Sequence, residues 1–269
     1  MSSREIAEQF VGARLRAAAL RAFPNTIPST LDDAYATQDW AIGLWPDRLV
    51  GWKVGRIAPP WLEQFQEDRL IGPIFEQGVR RVAAAELVEF PAFEGGFAAV
   101  EAEFVFRLRA NAPPDKATWT VDEAAQLACA LHVGIETAGS PLASINDLGP
   151  LAVVCDFGNN AGLLLGPEVM DWRQRHFEAL TCETLIQDRT VGHGGALSVP
   201  GGPLAALAFA LQRCAKRGRP LLSGDLVSTG AATGIHPIRS GQHARVRFDG
   251  IAELRCRAVP AAALCPTPS

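Results

Sequence analysis

Residues 97–108 read FAAVEAEFVFRL, and their strict alternation decides how the chain is organised. Side chains along a strand point by turns to opposite faces. Glu101 and Glu103 therefore share one face, while Ala102, Phe104, Phe106 and Leu108 share the other. The apolar face is the one to bury, which leaves two carboxylates roughly 7 Å apart along the strand pointing into one space. Charges of one sign that close repel at neutral pH unless water or a cation lies between them. The stretch LHVGIET at 131–137 repeats the design, with Leu131, Val133 and Ile135 on one face and His132, Gly134 and Glu136 on the other. Three carboxylates on two neighbouring strands suit Mg²⁺ or Mn²⁺, hard ions that prefer oxygen. A Glu-x-Glu pair alone is usually a solvated face, so this reading needs its surrounding motifs.

Upstream, VGWKVG at 50–55 places Val50, Trp52 and Val54 on one face and Gly51, Lys53 and Gly55 on the other. The flanking glycines leave room for a group to approach the Lys53 ammonium, and a carboxylate is its natural guest. An ordinary lysine on an edge strand fits the same pattern.

Helical signals lie outside these strands. Apolar residues recur at helical intervals across 4–23, and a second helix is predicted across 31–45, with Thr30 as its cap and Pro46 beyond its end. Thr120 and Glu123 are spaced as a capping box, opening a helix through Ala130. Pro203 starts an Ala/Leu helix that runs to about Arg217, with Gly218 at its end. Residues 151–165 read as an apolar strand pair interrupted at DFGNN, and 225–234 and 244–258 as strands joined by glycine turns. The sum is an α+β chain: an N-terminal helical region over 1–48, then a β-rich body over 49–269 with much antiparallel sheet. The closing AAALCPTPS is expected to fray.

Composition sets the outer limits. The 269 residues are 48% hydrophobic and 20% charged with a net charge of -4, which suits a soluble protein with a sizeable core. No basic tract offers itself to nucleic-acid phosphates. MSSREIAEQF carries charges where a signal peptide needs an apolar core, and no apolar run reaches ~18 residues, so a cytoplasmic protein that spans no membrane is expected. Cys129, Cys155, Cys182, Cys214, Cys256 and Cys265 form no CxxC pair and read as reduced, mostly buried thiols. No GxSxG elbow, P-loop or HExxH is present. The Gly-rich stretch GHGGALSVPGG at 192–202 reads as a connector or as a loop over a pocket. His193 and His236 read as loop or surface histidines, His132 as a neighbour of the Glu136 face, and Trp40, Trp45, Trp52 and Trp61 as core or interface aromatics.

The ordered set GWKVG (51–55), VEAEFVF (100–106), IE (135–136), DFGNNAGLLLG (156–166), SGDLVSTGAATGIHPI (223–238) and VRFDGIAELR (246–255) resembles the hydratase/decarboxylase branch of the fumarylacetoacetate hydrolase superfamily. The resemblance implies a twisted, largely antiparallel β-body after a helical region. It implies a divalent cation, Mg²⁺ or Mn²⁺, on Glu101, Glu103 and Glu136, chelated by a small-molecule 2-oxo acid. It implies catalytic roles for Lys53 and Asp156, substrate contacts from Lys53, Asn160 and Thr233, and a homo-oligomer. The activity it implies first is a metal-dependent hydro-lyase of aromatic catabolism, adding water to 2-hydroxy-2,4-dienoates to give 4-hydroxy-2-oxo acids. Decarboxylation of a 2-oxo-3-enedioate, C–C hydrolysis of an acylpyruvate, and an inactive binding or assembly subunit are the alternatives. Three departures stand out. Phe157-Gly158-Asn159-Asn160 replaces the usual Asn-Ala-Ser-Ser. Gly139 takes the place of an Asp three residues after the third ligand. Arg69-Leu70-Ile71-Gly72 stands for Pro-Asp-Phe-Gly, with Glu67 and Asp68 the nearest acids.

Overall fold

The computed structural model describes residues 2–264. Two helices open the chain, α1 (Ser3–Leu15) and α2 (Leu31–Leu44). The Thr30 hydroxyl accepts from the Asp33 amide and so caps α2, as its spacing predicts. The helix predicted across 4–23 stops at Leu15, because the backbone turns left-handed at Ala17 (φ 50°). The chain continues through β1 (Leu49–Arg56), α3 (Trp61–Phe65), β2 (Arg69–Phe75), β3 (Val79–Arg81), β4 (Leu87–Ala92) and β5 (Phe97–Leu108). Next come α4 (Val121–Leu127), β6 (Ala128–Ser140), α5 (Pro150–Cys155), β7 (Asn160–Glu168), β8 (Thr181–Ile186) and β9 (Arg189–Gly195). The last elements are α6 (Pro203–Lys216), β10 (Leu226–Ser228), β11 (His236–Pro237), β12 (His243–Phe248) and β13 (Ala252–Pro260).

The strands form two sheets. The larger runs β2-β1-β10-β5-β6-β7-β3, with β11 also pairing β5, and the smaller runs β4-β13-β12-β8-β9. Pairing is mostly antiparallel, and the parallel pairs are β1 with β10, β4 with β13, and β3 with β7. The large sheet curls until β2 meets the turn before β7. A Cβ on Gly72 would lie 2.1 Å from the Phe157 carbonyl oxygen, so only glycine permits this approach. Ile74, Val105, Leu163, Leu165 and Leu226 fill part of the enclosed space as a small cluster of their own. The other face of β5, with Ala102, Phe104, Phe106 and Leu108, joins the main core. There Phe104 meets Phe248 of the small sheet edge-on at 5.6 Å between ring centroids.

Two sequence expectations change. Residues 150–155 are a helix and not the first half of a strand pair; Pro150 sits at its first turn, and a short apolar run does not distinguish a buried strand from a buried helix. The helix opened by Thr120 ends at Leu127, where Ala128 turns extended and enters β6. Cys155, Cys182, Cys214 and Cys256 are free and buried and Cys129 is free and exposed, while Cys265 lies outside the described residues. No described helix is long and apolar enough to cross a membrane.

Candidate active site

The two acidic strands pair directly. β5 and β6 run antiparallel in a register that sets Glu101 opposite Glu136 and Glu103 opposite Gly134. Directly opposed side chains on one sheet face lie close together, and Gly134 places no side chain of its own across from Glu103, where Val105 and Leu163 close in instead. One carboxylate oxygen from each of Glu101, Glu103 and Glu136 lies within 4.8 Å of the others. The face that carries them is not solvated: Glu101 is 4% exposed, and Glu103 and Glu136 are fully enclosed. Curling of the sheet buries both faces of β5, which the alternation of one strand could not reveal.

Lys53 enters from β1, where it is paired in register with Ser228 of β10. Its Nζ lies 3.2 Å from Glu136 Oε1. Burial pushes the Lys53 ammonium down, but the carboxylates of Glu136, Glu101 and Glu103 outweigh it and raise the group above its ordinary range. Burial pushes all three carboxyls up. Glu101 rises to about 8 against the pull of Lys53, and the negative charges of Glu136 and Glu101 raise Glu103 further.

These groups fit a divalent cation. Three ionised carboxylates and one ammonium sum to -2, so a 2+ ion brings the enclosed cluster to neutrality. Buried charge without such compensation is strongly disfavoured. Glu136 Oε1 already accepts from Asn160 Nδ2 at 3.3 Å and faces Lys53, whereas its Oε2 has no partner among the described residues. On Glu103, Oε2 accepts from the Gly230 amide at 2.7 Å and Oε1 has none. Buried oxygens are rarely left unpaired without a reason. An all-oxygen donor set is the one Mg²⁺ and Mn²⁺ prefer, and the three carboxylates are grouped closely enough to offer themselves to one ion.

A cavity of about 390 Å³ opens onto this cluster, with Lys53 and Glu101 in its wall. Ile57, Trp61, Leu70, Val153, Val199 and Ile235 supply much of the apolar lining. Arg56 and Arg69 are its further cations, and Asn146 and Asn159 face it together, joined by a 2.6 Å hydrogen bond. The Gly-rich stretch sends Ser198, Val199 and Pro200 into the wall, where the Pro200 carbonyl accepts from Arg69.

The turn that carries Asn159 is left-handed at three successive residues, Phe157 (φ 55°), Gly158 (φ 61°) and Asn159 (φ 65°). For a residue such as Phe157 this conformation costs roughly 1–2 kcal/mol, so neighbouring contacts must impose it. The Phe157 ring supplies some of them, meeting Trp45 and Phe75 at centroid distances of 5.6 and 5.1 Å. Arg14 supplies others, from α1.

The residues named from sequence are thus divided. Glu101, Glu103, Glu136 and Lys53 converge, and Asn160 joins them through Glu136. The Asp156 carboxylate instead accepts from Arg14 Nε at 2.5 Å and, among the described residues, is not part of the cavity wall. The Thr233 hydroxyl pairs with Thr184 at 2.7 Å, and its neighbours Gly234 and Ile235 line the cavity in its place. Glu67 pairs with Arg213 and Asp68 with Arg69, so neither acid faces the cavity. His193 is exposed beside Glu183, His236 Nε2 lies 3.0 Å from the Thr233 carbonyl, and His132 Nδ1 lies 3.1 Å from the Gly166 carbonyl.

Sequence reasoning missed Arg14, Trp61, Leu70, Asn146, Thr229 and Ser228. Leu70, Ser228 and Thr229 lie in motifs already quoted but received no role there, and Arg14 carried a local signal, because the stripe Ala7, Phe10, Val11 at helical spacing continues onto it. Ser228, whose buried hydroxyl has no partner, gives no sign in a short apolar strand.

The fold is similar to that of solved enzymes that act on 2-oxo acids and their relatives. No family model matches the chain, and no curated protein matches it in sequence. Among solved structures, 4-oxalocrotonate decarboxylase from Pseudomonas putida G7 superposes with a TM-score of 0.77 at 20% identity, over 96% of this chain and 97% of its own. That enzyme is seen with calcium and acetate and with magnesium and adipate. Fumarylpyruvate hydrolase from Pseudomonas aeruginosa, in complex with Mn²⁺ and pyruvate, gives a TM-score of 0.58 at 17% identity over 80% and 91% of the two chains. 2-Hydroxyhepta-2,4-diene-1,7-dioate isomerase from Mycobacterium marinum gives 0.53 at 16% over 80% and 77%. At these identities the likeness is one of fold.

Proposed function

We propose that this chain is a divalent-metal-dependent enzyme of 2-oxo acid chemistry that removes CO₂ from a 2-oxo-3-enedioate. The observation that carries this reading is the enclosed Glu101–Glu103–Glu136–Lys53 cluster at one wall of a cavity whose adjoining wall is Leu70 and not an acid. Glu101, Glu103 and Glu136 would hold Mg²⁺ or Mn²⁺, ions that accompany two of the structural relatives. When bound, the cation supplies Lewis acidity at the oxygens of a chelated 2-oxo acid.

The residues of the chain account for the rest. Lys53, kept protonated by the carboxylates around it, presents its ammonium to the 2-oxygen of the substrate and can release a proton there. In a 2-oxo-3-enedioate the C5–C6 bond breaks and C6 leaves as CO₂. The electron pair runs through the conjugated carbons to the 2-oxygen, which takes up a proton to give the 2-hydroxy-2,4-dienoate. The apolar wall of Trp61, Ile57 and Val199 excludes water and strengthens every charge interaction within it. Arg56 and Arg69 favour an anionic guest.

Hydration, the activity that the sequence resemblance implies first, needs a group to take a proton from water. Among the described residues that line the cavity Glu101 is the one carboxylate, and it belongs to the metal triad; Leu70 stands at the position where the family pattern has an acid. A diode-array assay with Mg²⁺ separates the two readings. Decarboxylation releases CO₂ from 2-oxo-3-enedioates and leaves 2-hydroxy-2,4-dienoates unchanged. Turnover of the dienoates without CO₂ release would make the protein a hydratase, and turnover of neither class sinks both the decarboxylase and the hydratase reading.

A further inference from the structure

From the hydrogen bonds of Arg14 we infer that it is a positioning residue for the metal-binding cluster, although it lies on the N-terminal helix and touches none of the ligands. The inference rests on the cation reading of Glu101, Glu103 and Glu136. Arg14 is 6% exposed and sits on the buried stripe of α1. Its guanidinium makes four hydrogen bonds to two segments, β6 and the turn that leads into β7. Nε donates to Asp156 Oδ1 at 2.5 Å, and one terminal nitrogen donates to the Asn160 carbonyl at 3.1 Å. The other terminal nitrogen donates to the Gly139 carbonyl at 2.7 Å and the Asp156 carbonyl at 3.3 Å. The rings of Phe93 and Phe157 lie 5.6 and 5.0 Å from its central carbon.

These contacts close on the metal cluster from two sides. Asp156 and Asn160 bracket the left-handed Phe157–Asn159 turn, so Arg14 ties together both ends of a backbone conformation that would otherwise relax. Gly139 lies three residues beyond Glu136 on β6, so the same guanidinium also fixes the strand that carries this ligand. Asn160 then passes the constraint on, because its amide donates to Glu136 Oε1. With Oε1 held by Asn160 and Lys53, Oε2, which has no partner among the described residues, is the oxygen left free for a cation. Arg14 thereby sets the rotation of one ligand through Asn160. A lysine keeps the charge opposite Asp156 but cannot reach four acceptors from one planar group.

Mn²⁺ binding to the full chain, followed by the free-ion EPR signal, tests this without any substrate. Groups that orient metal ligands typically contribute 10–100-fold in affinity. Arg14→Lys and Asn160→Ala should each weaken binding by about that range while far-UV circular dichroism stays native. The double variant should lose little more than the worse single variant, since both act on one path. A folded Arg14→Lys within about twofold of the unaltered protein, or losses that add in full, overturns the inference. If Arg14→Lys does not fold, Asn160→Ala decides alone: weakened binding supports the path and unchanged binding overturns it. Glu103→Gln separates the two levels. Binding that Glu103→Gln abolishes but that the Arg14 and Asn160 variants leave intact removes only this inference. No Mn²⁺ binding by the unaltered protein removes the cation reading and this inference with it.

Discussion

Glu101 and Glu136 stand directly opposite each other as a register pair of β5 and β6, two like charges where a sheet ordinarily places complementary ones. A directly opposed like-charge pair destabilises a sheet, and both residues here are buried. The pair persists because Lys53 and, in our reading, a cation lie between the charges. Glu101→Gln and Glu136→Gln should therefore each raise the metal-free melting temperature while weakening Mn²⁺ binding by on the order of 100-fold or more, beyond the range for residues that only orient ligands. Isothermal titration and differential scanning fluorimetry read the two effects. A variant that gained no stability and kept its affinity would mean that the carboxylates are not the ligand set.

How much of this was legible in the sequence follows from what each element reveals locally. The alternation in FAAVEAEFVFRL gave the strand and the shared face of Glu101 and Glu103, since a period of two is an intrinsic property of the backbone. It did not give the burial of that face, because curling of the large sheet depends on strands far apart in the chain, with Gly72 meeting Phe157 at the closure. Thr30, Thr120 and Pro203 announced their helices through local chemistry. Residues 150–155 did not, because a six-residue apolar run lacks a period to read. Asp156 was legible as a polar residue within an apolar stretch, but its partner Arg14 is 142 positions away, and only folding shows that its charge is already answered.

That answered charge gives the next prediction. Removing one member of a buried ion pair leaves the other unpaired in an apolar setting, which costs about 3–5 kcal/mol. Asp156→Leu should lower stability in urea by about that amount, and Arg14→Leu in the same chain should restore part of it. A single variant of unchanged stability would show that Asp156 is free of Arg14.

Gly72 gives a steric test. Its missing side chain lets β2 meet the backbone of the Phe157–Asn159 turn, and a Cβ would lie 2.1 Å from the Phe157 oxygen and 2.7 Å from its carbonyl carbon. Neither atom belongs to a side chain that can rotate away. Gly72→Ala should cost about 1–3 kcal/mol of overpacking strain, or roughly 2–4 °C of melting temperature for each kcal/mol in a chain of this size. An unchanged melting temperature would mean that the closure of the large sheet is loose.

Lys53 separates binding from turnover. Lys53→Met removes the ammonium that in our reading faces the 2-oxygen but leaves three carboxylates for the cation. Loss of one preorganised donor of this kind lowers kcat by on the order of 10²–10³. Mn²⁺ binding should weaken by no more than the roughly 10–100-fold of a group that orients a ligand, while CO₂ release at saturating Mn²⁺ falls by about 10²–10³. Loss of both together would place Lys53 in the ligand framework and not in the chemistry.

The last prediction concerns pH. In the unfolded chain Glu101 titrates near 4.5, and in the metal-free fold it titrates near 8; burial shifts Glu103 and Glu136 in the same direction. Between those two values the folded protein holds more protons than the unfolded chain. These groups therefore contribute stability at low pH that is lost as pH rises toward 8. Lys53 is raised above 10.5, so its contribution is intact throughout this window. Burial lowers His132 and His236, which acts in the opposite sense below about 6.5, but it acts with and without metal and cancels in the difference. A cation must displace the carboxyl protons to bind. The rise in melting temperature caused by saturating Mg²⁺ should accordingly grow from pH 6 to pH 8.5 and level off above that. Fluorimetric melts with Mg²⁺ and with EDTA across this range measure it. A metal-induced rise of the same size at both ends would mean that no carboxyl proton leaves when the ion enters.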